Sequence, residues 1–272
     1  MKLKDFDKIF SVNPTLQRLC RWAKATDGRH IALQGLRASA QSVAIAEMLR
    51  HTDKNILLVA DDGDGAGYAY FDIVQLLGSE RVAFFPAFYK HNHKSGATIA
   101  ENEILRTDSL NKISGKKPCI IVSYPEALVE KVVAASYFVG SKIELKKGQS
   151  YDMNGLVGQL QKAGFEEVDF VYEVGQYSQR GSIVDIFSYS NELPYRVDFF
   201  GDNIESIRMF DIERQLSVSS VDSIDIVANT DGGDLPKISL LEFMSSDSVV
   251  VVNDIDFTVK RMDYIYEQAL IK

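Results

Sequence analysis

Cysteine is nearly absent from this chain. Cys20 and Cys119 are the only two, they stand far apart, and neither has a CxxC partner. That pattern argues against metal ligation and thiol redox chemistry, and it leaves two buried free thiols as the expectation. Long apolar runs are missing as well. None approaches the roughly 20 residues that a membrane-spanning helix needs. The opening MKLKDFDKIF has an acidic residue at position 5 and no signal-peptide cleavage pattern, so a cytoplasmic protein with no membrane partner is expected. No GxSxG-type motif organises the serines around a base, and no enzyme active site can be argued from them.

Basic charge is scarce where a nucleic-acid clamp would need it. The net charge is −8, but its distribution is uneven. Residues 1–141 carry 18 Lys and Arg against 15 Asp and Glu, whereas residues 142–226 carry 8 against 15 and residues 227–272 carry 4 against 8. Phosphate contacts dominate DNA affinity and require clustered cations. An acidic middle segment points instead to a protein partner. His91 and His93, flanked by Lys90 and Lys94, lack a third ligand and read as an exposed basic loop. Asp61, Asp62 and Asp64 resemble a calcium loop only superficially, because the closing Glu is missing, and a turn after a strand accounts for them. No metal site is assigned.

What is present suffices for a sizeable core. At 272 residues with 46% apolar and 25% charged composition, about two domains are expected. The first half alternates strands and helices. His30–Leu33, Asn55–Ala60, Val82–Phe85 and Cys119–Ser123 read as strands, with helices at Ser39–Leu49, Tyr70–Leu77 and Thr98–Ile113 and another opening at Pro125. That alternation predicts an α/β fold with a mainly parallel sheet, wound like a nucleotide-binding domain.

The turn after the first expected strand is where phosphate chemistry belongs. Laid over GxxxxGK[ST], Gly35 and Ser42 match, but Ala40 replaces the second glycine and Gln41 replaces the lysine. Glutamine cannot supply the charge that holds the outer phosphate oxygens, and alanine restricts a backbone that must wrap closely. The loop therefore reads as degenerate and inactive, in a P-loop NTPase-like domain that needs no cofactor.

From Lys142 the pattern changes. Asp152 is a plausible N-cap for a helix reaching Ala163, with Gly164 as its stop, and strands dominate to about Val227. This predicts a smaller α+β domain (142–226) inserted between a first domain (1–141) and a return segment (227–272), where Asp247–Asn253 reads as a strand and Asp256–Leu270 as a closing helix. Two alternating runs, Ser182–Phe187 and Tyr195–Phe200, flank a polar break at Ser188–Leu193 and predict a long hairpin. In the second run Tyr195, Val197 and Phe199 share the core face, whereas Arg196, Asp198 and Phe200 share the other. A large aromatic beside an arginine on a charged face has the composition of an interface. The competing reading packs Phe200 under a neighbouring element and pairs the arginines with Asp185 or Asp198.

Tyr177–Asp211, YSQRGSIVDIFSYSNELPYRVDFFGDNIESIRMFD, resembles the block RGxxxD(I/L)F…(Y/V)R(V/L)(D/E)FFGDxIExIRxFD. That block marks the module shared by the excision-repair protein UvrB and the transcription-repair coupling factor Mfd. UvrB keeps an intact phosphate loop and carries a long tyrosine-rich hairpin after its third strand. Here the loop is degenerate and Ala87–Ala97 leaves no room for that hairpin, so the chain resembles the N-terminal UvrB-homology region of the coupling factors. The resemblance implies a non-catalytic adaptor region that recruits UvrA to stalled transcription complexes. By the same resemblance, RNA polymerase and DNA are engaged, and ATP-driven translocation is performed, by downstream parts of a longer protein. It places UvrA contacts at Arg180, Arg196 and Phe200. The alternative it leaves is a UvrB-like, ATP-dependent damaged-DNA-binding enzyme.

Overall fold

The computed structural model describes residues 12–25, 30–88, 96–228 and 235–270. It is a mixed α/β structure that divides into two compact units: Met1–His91 with Ser109–Lys131 and Ile238–Lys272, and Asn92–Asp108 with Val132–Lys237. No described helix is long and apolar enough to cross a membrane.

The first unit is built on a four-stranded parallel sheet in the order Val249–Val252, Ile56–Val59, Ile120–Ser123, Val82–Phe84. Ile56 sits opposite both Val249 and Ile120, so the ILLV run is central. All four of its side chains are buried, which is why an uninterrupted apolar run codes for it. Cys119 and Cys20 are buried free thiols.

Two expectations fail in this unit. His30–Leu33 is irregular, and Ile31 and Leu33 are exposed. With only two bulky apolar residues, HIAL lacks the burial that holds ILLV in the sheet, and a run this short cannot be assigned by pattern alone. The helix expected at Tyr70–Leu77 begins earlier, at Gly63. Its glycine-rich first turn hides it in the sequence, but the Asp62 carboxylate accepts from the Gly65 N–H at 2.7 Å and caps it. Asp62 thus serves as an N-cap where the sequence suggested a turn. Most of Ala87–Ala97, with His91 and His93, lies outside the described residues.

The second unit holds a six-stranded sheet whose strands we label in chain order: β1 (Glu166–Glu167), β2 (Gln176–Arg180), β3 (Ile183–Ile186), β4 (Tyr195–Phe200), β5 (Asn203–Phe210) and β6 (Ser217–Val221). Their spatial order is the chain order, and all neighbouring pairs are antiparallel except β1 with β2. β3 and β4 are the two arms of the expected hairpin. The helix Met153–Lys162, capped by Asp152 and followed by Gly164 at φ 82°, contributes Leu156 and Leu160 to the core. Tyr177, Val184, Ile186, Val197, Phe199 and Ile207 meet them from the sheet. A two-stranded antiparallel ribbon, Ile143–Lys146 with Ser223–Ile226, completes this unit's core.

Two tyrosines in that core are pushed toward the neutral form. Burial, reinforced by Asp225 and Asp108, raises the Tyr195 phenol to about 12. Burial also raises Tyr177, whose hydroxyl bonds with Gln161 and Glu167. A raised folded-state value means that the folded chain keeps a proton which the unfolded chain releases near pH 10. Stability is then fully present below pH 10 and falls as pH climbs toward 12. Tyr195 alone should account for on the order of 2 kcal/mol over that window. Urea unfolding between pH 9 and 12 should show this decline, with a shallower slope in Tyr195→Phe. An equal slope in the variant would remove Tyr195 as its source.

Candidate functional site

Register fixes which side chains share the outer face of the six-stranded sheet. Asp185 lies opposite Ser178 on one side and Arg196 on the other, while Ile183 lies opposite both Arg180 and Asp198. Arg208 faces Arg196, and Ser206 faces Asp198. Opposed residues in an antiparallel ladder point to one side, so Arg180, Asp185, Arg196, Asp198 and Arg208 form one polar face, with Phe200 extending it along β4. Tyr195, Val197 and Phe199 point into the core, as their alternation predicts. Phe200 stays 77% exposed and is not packed under a neighbouring element.

The hub of this face is Asp185, a carboxylate only 1% exposed. Arg196 holds it with two parallel bonds, Nε to Oδ1 at 2.7 Å and Nη2 to Oδ2 at 2.8 Å. Arg180 adds a third from Nη2 to Oδ2 at 2.5 Å. The remainder of the Arg196 guanidinium is also engaged. Nη2 donates to the Gln215 side chain at 3.2 Å, Nη1 donates to the Gln215 backbone oxygen at 3.4 Å, and the cation lies 4.4 Å over the Phe210 ring. Hydrogen bonding to Asp185 raises the pKa of Arg196 against the opposing effect of burial. Arg196 is therefore built into the protein, with a side chain only 15% exposed. Arg180, 35% exposed, is the more accessible of the pair. A second pair, Arg208 with Asp198, is joined by the Ser206 hydroxyl.

In the first unit, Gln41 and Ser42 open the helix Ala40–Arg50, with Gly35 and Ala38 at positive φ in the preceding turn. Gln41 lines a cavity of about 370 Å³ together with Asp61, Asp62, Asp64, Tyr68 and Asn253. Its amide donates to Asn253 Oδ1 at 2.6 Å, so the group standing where a phosphate-binding lysine would be is bonded internally. The Ser42 hydroxyl is buried and donates to Asp72 Oδ2 at 3.4 Å. Three carboxylates around a cavity repel phosphate rather than attract it. Among the described residues, no group of His, Cys, Asp and Glu side chains could hold a metal ion.

Sequence reasoning did not find Gln215, Arg208 or Phe170. Gln215 lies in a turn at φ 57°, where no periodicity reports on side-chain direction. The place of Arg208 opposite Arg196 depends on a register shift between Ile204 and Ser206, which pattern reading cannot see. Phe170 sits in an irregular loop and stacks on Arg180, with the guanidinium carbon 4.6 Å from the ring centre.

Comparison with known proteins bears on the same segment. Residues 143–231 match the family model described as the UvrB interaction domain. The transcription-repair-coupling factor of Escherichia coli (strain K12) is 28% identical over 244 residues, which cover 89% of this chain and 20% of that protein. Those of Bacillus subtilis (strain 168) and Myxococcus xanthus are 27% and 28% identical, over 71% and 74% of this chain. The chain spans about a fifth or less of the length of these relatives. The matched segment falls on the six-stranded sheet and the ribbon beside it, and over most of its length the chain is similar to the N-terminal region of the transcription-repair-coupling factors, with residues 143–231 similar to the UvrB interaction domain.

Proposed function

We propose that this chain is a non-catalytic adaptor region of a longer transcription-repair coupling factor, and that its UvrB interaction domain docks UvrA through the outer face of the six-stranded sheet. In this reading residues 142–226 form an inserted α+β domain, and the remainder is a P-loop NTPase-like domain that has lost its nucleotide. UvrA is brought to stalled transcription complexes, while RNA polymerase, DNA and ATP are handled by other parts of the parent protein. The observation that carries the reading is Phe200, a large ring left in solvent beside an ordered arginine cluster, within a domain matched to a UvrB-interaction family. Exposed aromatic and arginine side chains over a rigid support are what interface hot spots are made of. Immobilised chain should capture purified UvrA from the same organism. Failure to capture it at micromolar concentrations would overturn the proposal.

The cavity beside Gln41 makes a second expectation. With an amide in place of the lysine and three aspartates around it, calorimetry with ATP and Mg²⁺ should give no saturable heat in the micromolar range. A tight complex that Ser42→Ala abolishes would restore an ATP-dependent, UvrB-like reading.

A further inference from the structure

We infer that the loop 168–175 is a second part of the docking face, with Phe170 as an aromatic anchor that contacts the partner and orients Arg180 toward it. The inference rests on the reading above and adds to it a residue that the family block does not contain.

The loop is irregular but tightly held. The Val168 N–H donates to Tyr177 O at 2.9 Å, and the Gly175 N–H donates to Phe187 O at 2.8 Å. The Gln176 side chain accepts from the N–H groups of both Tyr172 and Glu173 at 2.9 Å. Asp169 O accepts from the Ser178 hydroxyl at 2.8 Å and from Arg180 Nη1 at 3.0 Å. Gly175, at φ 84°, passes so close to Tyr189 that a Cβ there would lie 2.5 Å from the hydroxyl. A loop pinned this way loses little further entropy on binding, which is the condition for a small contact to yield affinity.

What the loop presents is Phe170, a large apolar side chain 47% exposed. One surface of its ring carries the Arg180 guanidinium. Arg180 is thus fixed on three sides, by Phe170, the Asp169 carbonyl and Asp185. Among the described residues only two acceptors engage its five N–H donors, so it still has donors to offer. Arg196 has bonded to Asp185 and Gln215 and has little left to offer. The sheet spacing puts the backbones of Arg180 and Phe200 roughly 12 Å apart, within one interface patch. The three guanidiniums of Arg180, Arg196 and Arg208 outnumber the carboxylates of Asp185 and Asp198. The matching surface on UvrA is therefore an apolar recess bordered by carboxylates.

The test uses purified UvrA and the full 272-residue chain, comparing Phe170→Ala, Phe170→Tyr and Phe200→Ala in affinity and in thermal midpoint. Phe170→Ala is expected to weaken binding about tenfold with little change in midpoint, and Phe170→Tyr, which keeps the ring over Arg180, to restore it. If Phe170→Ala binds like the parent while Phe200→Ala does not, the inference fails and the docking reading stands. If affinity falls only in step with a lowered midpoint, Phe170 is structural and the inference is likewise overturned. If neither alanine variant changes binding, or the parent chain does not bind, both ideas fall together.

Discussion

Arg196→Ala will lower the stability of the second unit by about 3 kcal/mol, a downward shift in thermal midpoint on the order of 10 °C. The loss follows from what the guanidinium does for Asp185. That carboxylate is essentially out of solvent, and Arg196 supplies two of its three charged hydrogen bonds. Removing one partner of a buried pair strands the other, which typically costs 3–5 kcal/mol. Arg180 remains on Oδ2 and keeps the cost near the lower end. The turn at Gln215 loses its anchor at the same time, and Phe210 loses the cation above it. Arg196→Lys should fall between, because an ammonium keeps the charge but cannot make the parallel pair of bonds. Thermal denaturation followed by circular dichroism measures this directly. A variant melting with the parent protein would show that Asp185 does not depend on Arg196.

This assigns Arg196 a role different from the one its sequence position suggests. Exposed arginine beside exposed phenylalanine on one strand reads as two contact residues, and an unchanged melting point is then expected for both alanine variants. The structure separates them. Arg196 is tied to Asp185 and Gln215 with a side chain only 15% exposed, whereas Phe200 is 77% exposed; under the proposed docking, Arg196 would act by holding the face and Phe200 by direct contact.

The difference also shows how far a sequence can be read. Strand parity needs only the alternation of side chains, so the burial of Tyr195, Val197 and Phe199 and the shared outward face of Arg196, Asp198 and Phe200 were legible in YRVDFF. The pairing of β3 with β4 was legible because a polar break separates two runs of matched length. Which carboxylate an arginine chooses was not legible. Asp185 and Asp198 were equal candidates by composition, and only the cross-strand register sets Asp185 opposite Arg196 while Ser206 and Arg208 occupy Asp198. In the first unit the continuous apolar runs ILLV and VVVV declared themselves, whereas HIAL, with two bulky apolar residues against their four, did not form the strand expected of it. The helix start at Gly63 was masked by residues of poor helix propensity, and a single cap at Asp62 overrides them. At Gln41 the sequence states only that the side chain carries no charge in any conformation, and the structure adds that its amide is bonded to Asn253. The aspartates that gather round it come from the start of another helix, Gly63–Leu77, and only the fold reveals them.

Phe200→Ala should reduce affinity for UvrA about thirtyfold, roughly 2 kcal/mol, while leaving the melting transition in place. The stability half of this expectation comes from exposure. A ring 77% in solvent contributes little to folding, and Gly201, at φ 57°, and Asn203 close the tight turn beyond it without the ring's help. The affinity half comes from what an isolated aromatic gains on docking. Its apolar surface leaves water, and its two side-chain torsions cost less to immobilise than those of a longer side chain. The supporting sheet is already ordered, with β4 paired on both sides and the Asp185 cluster fixing the strands beside it. Calorimetric titration of UvrA into each variant, paired with thermal melts, separates the two halves. Should Phe200→Ala unfold the unit, the ring would be part of the core in solution and docking would have to be sought on another face. Should it fold and bind UvrA as tightly as the parent chain, the outer face of β4 would not be the contact surface, and the arginines behind it would be structural alone.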